Sequence, residues 1–239
     1  MKNSLLLCIC MLACFVPANA NLILNPSFEL PVVGTAPPAF ASYPVPPGTG
    51  ITDWMVVGAP GTEVSLVNGT YSKECCTFAP DPSDGAQWLD LTGFSSNQFE
   101  GVQQTVTTTI GTTYDLSFLI GNVYDPGGVF GTTSTVQVRL GGIAGAVLGN
   151  FTNSSTTPGV ITWMPFATTF VATAGSTTLD FLNLDPVTDN SNGLDSLVLT
   201  AEAAPGIPEP GTLSLLGMGI IGLGLTRRLA KRSFHLPTR

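Results

Sequence analysis

Between Thr113 and Gly121, Tyr114, Leu116, Phe118 and Ile120 alternate with Asp115, Ser117 and Leu119, so one side of the segment is apolar throughout. A two-residue period predicts a β-strand with one buried face. Val136, Val138 and Leu140 repeat the device, with Gln137 and Arg139 pointing the other way, and Gly141-Gly142 then supplies a turn into the next strand. The pattern predicts about nine strands, near Glu63–Val67, Ala86–Leu91, Gly101–Thr107, Thr113–Gly121, Ser134–Leu140, Ala146–Asn150, Ile161–Ala172, Thr177–Leu182 and Leu194–Ala201. Thr, Ser, Gly and Val dominate this region, and no long stretch carries helical periodicity. The prediction is an all-β domain of two antiparallel sheets packed face to face. The proline-rich stretch Leu30–Ile51 and the segment Tyr71–Asp84 are expected to be surface loops.

The two ends of the chain follow other rules. Lys2, the apolar stretch Leu5–Val16 and the small residues Ala18-Asn19-Ala20 form a secretory signal peptide over residues 1–20. Cys14 is a competing lipoprotein acceptor. Residues 203–210 form a Pro/Gly linker ending in Pro208-Glu209-Pro210. An uncharged apolar run, Gly211–Thr226, follows, and then a basic cluster of Arg227, Arg228, Lys231 and Arg232. At 1.5 Å per residue the run spans roughly 24 Å, and snorkelling arginines extend it toward the ~30 Å of a hydrocarbon core. One short transmembrane helix within residues 211–232 is therefore expected, with residues 233–239 in the cytoplasm and everything before Pro208 outside. A buried helix of a soluble domain is the alternative, although it has no need of a one-sided cationic stop.

Signal peptide, Pro-Glu-Pro, short apolar span and arginine-rich end together resemble the PEP-CTERM sorting signal of exopolysaccharide-producing Gram-negative bacteria. The resemblance implies an exosortase as processing partner, acting at Pro208, Glu209, Pro210, Arg227 and Arg228. It also implies an inner-membrane stage before delivery to the envelope or the extracellular matrix. It says nothing of what the exported domain does.

That domain, about residues 21–202, is long enough for one well-buried core. From Asn21 to Gly206 its basic residues are Lys73 and Arg139, against fifteen Asp and Glu. An anionic surface of this kind repels phosphate backbones, which argues against nucleic-acid partners. The chain's single histidine, His235, lies in the C-terminal tail, so His-based triads and His-ligated zinc are excluded from the exported domain. Paired carboxylates of the glycosidase kind cannot be picked out by spacing, and the expectation is a protein that is not an enzyme.

Asn21–Glu29, Trp54, the Trp-Leu-Asp-Leu of Gly85–Leu91, Val102–Thr105, the Thr-Tyr-Asp-Leu-Ser-Phe of Gly111–Phe118, and Gly193–Leu197 look like a galactose-binding-like jelly roll of the bacterial choice-of-anchor kind. The resemblance extends more distantly to jelly-roll carbohydrate-binding modules. It implies that the first and last strands lie together, with Glu29 and Asp195, and Asp90 as a weaker addition, holding a structural Ca²⁺ through hard oxygen ligands. The alternative is that Glu29 and Asp195 cap turns by accepting backbone N–H groups. Phe28 and Trp54 are expected to plug the core.

An extracellular polysaccharide is the expected ligand, since sugar C–H faces stack on aromatic rings while hydroxyls need amide and carboxylate partners. Tyr124 on its Asp125-Pro126-Gly127-Gly128 turn, Trp88 and Asn122 are the candidate contacts, with burial in a strand the competing role for Trp88. Asp185, Asp189, Asn190, Asn192 and Asp195 form a second cation-capable group without EF-hand spacing. Cys75 and Cys76 are the cysteines left after signal removal. Their Cα atoms stand about 3.8 Å apart across a trans peptide. In an oxidising compartment they are expected to form a vicinal disulfide, interchain bridges being the alternative. A structural or adhesive surface protein without a small ligand, and an extracellular glycan hydrolase, are the competing functions.

Overall fold

The structure is a computed structural model that describes residues 20–45, 50–73, 75–81, 84–93 and 99–202. The chain divides into two compact units, Met1–Glu202 and Ala203–Arg239, and every described residue belongs to the first. The signal peptide up to Asn19, the Pro208-Glu209-Pro210 motif, the apolar run and its basic stop lie outside the described residues. Among the described residues no helix is long and apolar enough to cross a membrane.

All nine strands read from alternation are present: β3 (Glu63–Asn68), β6 (Gln87–Asp90), β7 (Gly101–Thr107), β8 (Thr113–Val123), β9 (Ser134–Leu140), β10 (Ala146–Asn153), β11 (Ile161–Val171), β12 (Ser176–Asn183) and β13 (Gly193–Ala201). Four short strands join them: β1 (Phe40–Pro44), β2 (Met55–Val57), β4 (Ser72–Lys73) and β5 (Cys76–Thr77). Two antiparallel sheets form a sandwich, one in the order β1-β3-β6-β13-β8-β11 and the other β10-β9-β12-β7-β2. Strand β1 corrects the expectation that Leu30–Ile51 is wholly loop. It lies at a sheet edge, where a proline such as Pro44 costs no ladder hydrogen bond.

The inward positions of both sheets meet in one core. Phe118, Phe181, Leu116, Val102, Val136, Val138, Leu179 and Leu194 are fully buried there. Phe28 and Trp54 pack with ring centroids 5.2 Å apart, as plugs of that core. A second apolar cluster comprises Val67, Cys76, Phe78, Trp88, Val123, Phe130 and Ile161. Trp88 and Leu89 are neighbours in β6, so alternation turns Leu89 into the main core and Trp88 to the opposite face of the sheet. There the β4–β5 hairpin covers it. The hairpin carries the Cys75–Cys76 disulfide, with Cα atoms 3.7 Å apart.

Candidate binding face and cation clusters

The N-terminal segment runs beside the last strand. Leu22 N–H donates to Leu199 O, Leu197 N–H donates to Pro26 O, and Asn21 Nδ2 donates to Leu197 O. This pairing brings Glu29 toward Asp195, as the jelly-roll resemblance implied. Glu29 Oε1 accepts the N–H groups of Ala86 and Gln87 at 2.8 and 2.9 Å. Asp195 Oδ1 accepts the Ser196 N–H at 2.8 Å, while its buried Oδ2 has no donor. Burial pushes the Asp195 carboxyl up to about 9, and repulsion from Asp84, Glu29 and Asp81 pushes in the same direction. Asp84 and Asp81 were missed from sequence. Asp84 Oδ2 accepts hydroxyl donations from Ser27 and Ser196, joining the N-terminal segment to β13. Turn capping and an unpartnered buried oxygen are thus both present.

Asp90 corrects the expected trio, because it sits in a different group. Its Oδ1 accepts Thr92 N–H, Thr92 Oγ1–H and Asn192 N–H, and its charge bears on Asp185 and Asp189. The physical reason is that Asp90 stands opposite Gly193, at the end of β6, whereas Asp195 lies two residues further along β13 at the start of a bulge. Among the described residues no group of three or more His, Cys, Asp or Glu is placed to hold a metal ion.

Two expected sugar contacts are also corrected. Trp88 is only 1% exposed, donates its indole N–H to Phe78 O, and stands edge-on to Trp163. Asn122 is fully buried. Its amide donates to Thr132 O and Ser155 O and its carbonyl accepts from Ser134 Oγ, so it ties three loops and strands together. Tyr124 is half-buried beside a bridge to Pro158.

The outward face of the five-stranded sheet supplies a different polar array. Val147, Arg139, Asp180, Gln103 and Met55 stand opposite one another in consecutive strands, one residue per strand. The adjacent row runs Asn150, Gln137, Leu182, Gly101 and Val57. Arg139 Nε donates to Gln137 Oε1, Gln137 Nε2 donates to Asn150 Oδ1, and the guanidinium lies 5.2 Å from the Phe99 ring centroid. Asp180 Oδ2 accepts the Gly142 N–H, while its Oδ1 is buried without a donor. Burial raises its carboxyl to about 6, with the Gly142 N–H and then Arg139 opposing the rise. At the β2 end the row opens on a cavity of about 570 Å³, lined by Leu24, Ile51, Trp54 and Met55 with Asp53 and Gln103. Sequence alone marked Gln137 and Arg139 as outward. It did not show that Asp180 and Gln103 stand beside them, because neighbourhood across a sheet is fixed by register.

Comparison with known proteins follows the same division of the chain. The model of the HpiC1-like family, described as HpiC1 cyclase, matches residues 19–184. The model of the PEP-CTERM protein-sorting motif matches residues 206–228, which marks an exported protein handled by an exosortase. No curated protein matches the chain. Among solved structures, it is similar to a Stig cyclase, Fisc from Fischerella sp. TAU, in complex with an indole compound, at 17% identity and a TM-score of 0.45 over 78% of this chain and 100% of that one. It is similar to the carbohydrate-binding module TmCBM61 in complex with β-1,4-galactotriose, at 12% identity and a TM-score of 0.39, covering 77% and 99% of the two chains. A bacteriophage CBA120 tailspike protein is matched at 13% identity and a TM-score of 0.43 over 76% of this chain, which spans 21% of the tailspike chain.

Proposed function

The chain belongs to the HpiC1-like family, and from its exported sandwich we propose an envelope or extracellular-matrix protein that binds polysaccharide without chemical turnover. The observation that carries this reading is the polar row on the five-stranded sheet. Arg139 and Gln103 offer donors and acceptors two strands apart, about 10 Å, on either side of the buried Asp180, with the exposed Asn150 joined to Arg139 through Gln137. Phe99, 38% exposed, adds an apolar ring next to them. Sugar recognition needs this mixture of amides, charges and an aromatic surface. The anionic domain needs a neutral ligand rather than a polyanion. Ca²⁺ near Glu29 and Asp195 would act structurally in this reading, neutralising a carboxylate group that pins the N-terminal segment to the last strand. A glycan array probed with the exported protein, with and without chelator, tests the proposal. Saturable binding to a subset of neutral glycans, weakened at least tenfold by Gln103→Ala, is expected. Flat binding to every sugar overturns it and favours a structural or adhesive surface protein.

The family match and the 570 Å³ cavity favour one second reading, a pocket for a small apolar molecule. Its volume lies within the ~300–1,000 Å³ range of small-molecule sites. Asp53 is the carboxyl among its lining residues. Saturable uptake of an indole probe, abolished by Met55→Trp, supports this reading. Absence of saturation at the solubility limit removes it.

A further inference from the structure

The β4–β5 hairpin belongs to neither large sheet, and its strands pair Ser72 with Thr77 and Lys73 with Cys76. Alternation along it turns Cys76 and Phe78 inward, at 4% and 2% exposure, and leaves Cys75 and Thr77 exposed. The Cys75–Cys76 bond therefore joins a residue that solvent reaches to one that sits in the apolar cluster of Trp88. We propose that this pair is a thiol-exchange site for a dithiol reductant, and that its reduction releases the hairpin as a lid over that cluster.

Access sets the direction of exchange, because a thiolate attacks the disulfide sulfur it can reach. The reductant's thiolate bonds to Cys75 Sγ, the S–S bond breaks, and its electron pair leaves on Cys76 Sγ. The second thiolate of the reductant then displaces Cys75 Sγ from the mixed disulfide. Both protein sulfurs take a proton from water, the reductant keeps its own disulfide, and two electrons have passed to the protein. Packing explains why the hairpin then moves. Thr77 N–H donates to Gly159 O at 3.1 Å, Trp88 Nε1 to Phe78 O at 2.9 Å and Trp163 Nε1 to Ala79 O at 3.0 Å, so these polar ties gather at and beyond β5. The cysteine end rests on the apolar cluster instead. A cavity of about 110 Å³ lies there, lined by Tyr71, Lys73, Phe78, Trp88, Asp90 and Phe130. Side chains around a void lack contacts on one side, and a two-stranded hairpin is at best marginally stable by itself. The ring between adjacent cysteines limits the conformations open to a released turn. Breaking it lets a weakly packed segment open without unfolding the sandwich.

The switch acts through Cys75 and Cys76 and stands apart from the polar row and from the 570 Å³ cavity. Exported protein is treated with dithiothreitol under native conditions and read by alkylation and peptide mass, tryptophan fluorescence and amide hydrogen exchange. Both cysteines are expected to become alkylated, and glutathione in place of the dithiol should leave its adduct on Cys75. Fluorescence shifts to the red, and exchange at residues 77–79 quickens about tenfold while β8 and β13 keep their protection. A variant combining Cys75→Ser and Cys76→Ser shows the same spectrum without reductant and does not respond to dithiothreitol. A bond that resists native reduction, or a glutathione adduct confined to Cys76, overturns the exchange site. Complete reduction with unaltered fluorescence and exchange, or with protection lost throughout β8 and β13, overturns the lid. If the double serine variant fails to fold, reoxidation of the reduced wild-type protein decides. Return of the original spectrum supports the switch, and a spectrum that stays shifted refutes it.

Discussion

At the scale of single residues, Asn122 shows how a polar side chain becomes structural. Its three hydrogen bonds reach Thr132 O, Ser155 O and Ser134 Oγ from the end of β8, with no surface exposed. Asn122→Ala strands those partners in a buried setting, and each unsatisfied group costs ~1–3 kcal/mol. Denaturant unfolding is expected to show a loss of that order or somewhat more, with glycan binding by folded protein unchanged. A binding defect without a stability defect would return Asn122 to the ligand site. Asp180 gives a second prediction at this scale. Burial first of all lifts its carboxyl from 3.8 to about 6, so between those pH values the folded chain holds a proton that the unfolded chain has released. Stability contributed by this group is therefore present below about pH 4 and is lost as pH rises through 6. The melting temperature of Asp180→Asn relative to wild type should rise between pH 4 and pH 7 and then level. A difference constant across that range would show that Asp180 titrates as an ordinary carboxylate.

At the scale of elements, the β4–β5 hairpin explains why an aromatic strand residue is not a binding platform. Phe78, immediately after β5, lies 6.4 Å from Trp88 in a stacked arrangement and 5.1 Å from Phe130 edge-on. Phe78→Ala removes the lid's largest ring at a cost of about 3–5 kcal/mol. The expected readout is a red shift of tryptophan fluorescence that disappears in the Phe78→Ala, Trp88→Phe double variant. An unshifted spectrum would mean that Trp88 is covered by something other than the hairpin. The same elements show what was legible from sequence. Strands of four or more residues with alternating polarity, such as β8 and β9, announce themselves. Strands β4 and β5 are two residues each, and β2 is three, too short for a period to register. Strand β1 hides among prolines that an edge position tolerates. The polar row of Arg139, Asp180 and Gln103 was invisible for a different reason. Each residue is outward in its own strand, but their adjacency depends on two independent registers. The cation groups divide likewise, since Asp90 and Asp195 join different groups by their offset along the β6–β13 pair.

At the scale of the whole molecule, the sandwich and the sorting segment are separate units with separate chemistry. The first unit contains the complete two-sheet core within Met1–Glu202, and the sorting motif occupies residues 206–228 of the chain. The sandwich and the sorting motif are matched by separate family models over separate residues, 19–184 and 206–228, so fold and address should separate in a variant. Replacing Pro208, Glu209 and Pro210 by alanine removes the rigid elbow before the apolar run while leaving that run and its arginines intact. The expected outcome is full-length protein accumulating in the inner-membrane fraction with its tail still attached. Its thermal unfolding should match that of the wild-type sandwich. Normal release to the envelope by the triple variant would show that sorting depends on the apolar run and basic stop alone. A fall in melting temperature would show that the two units exchange stabilising contacts.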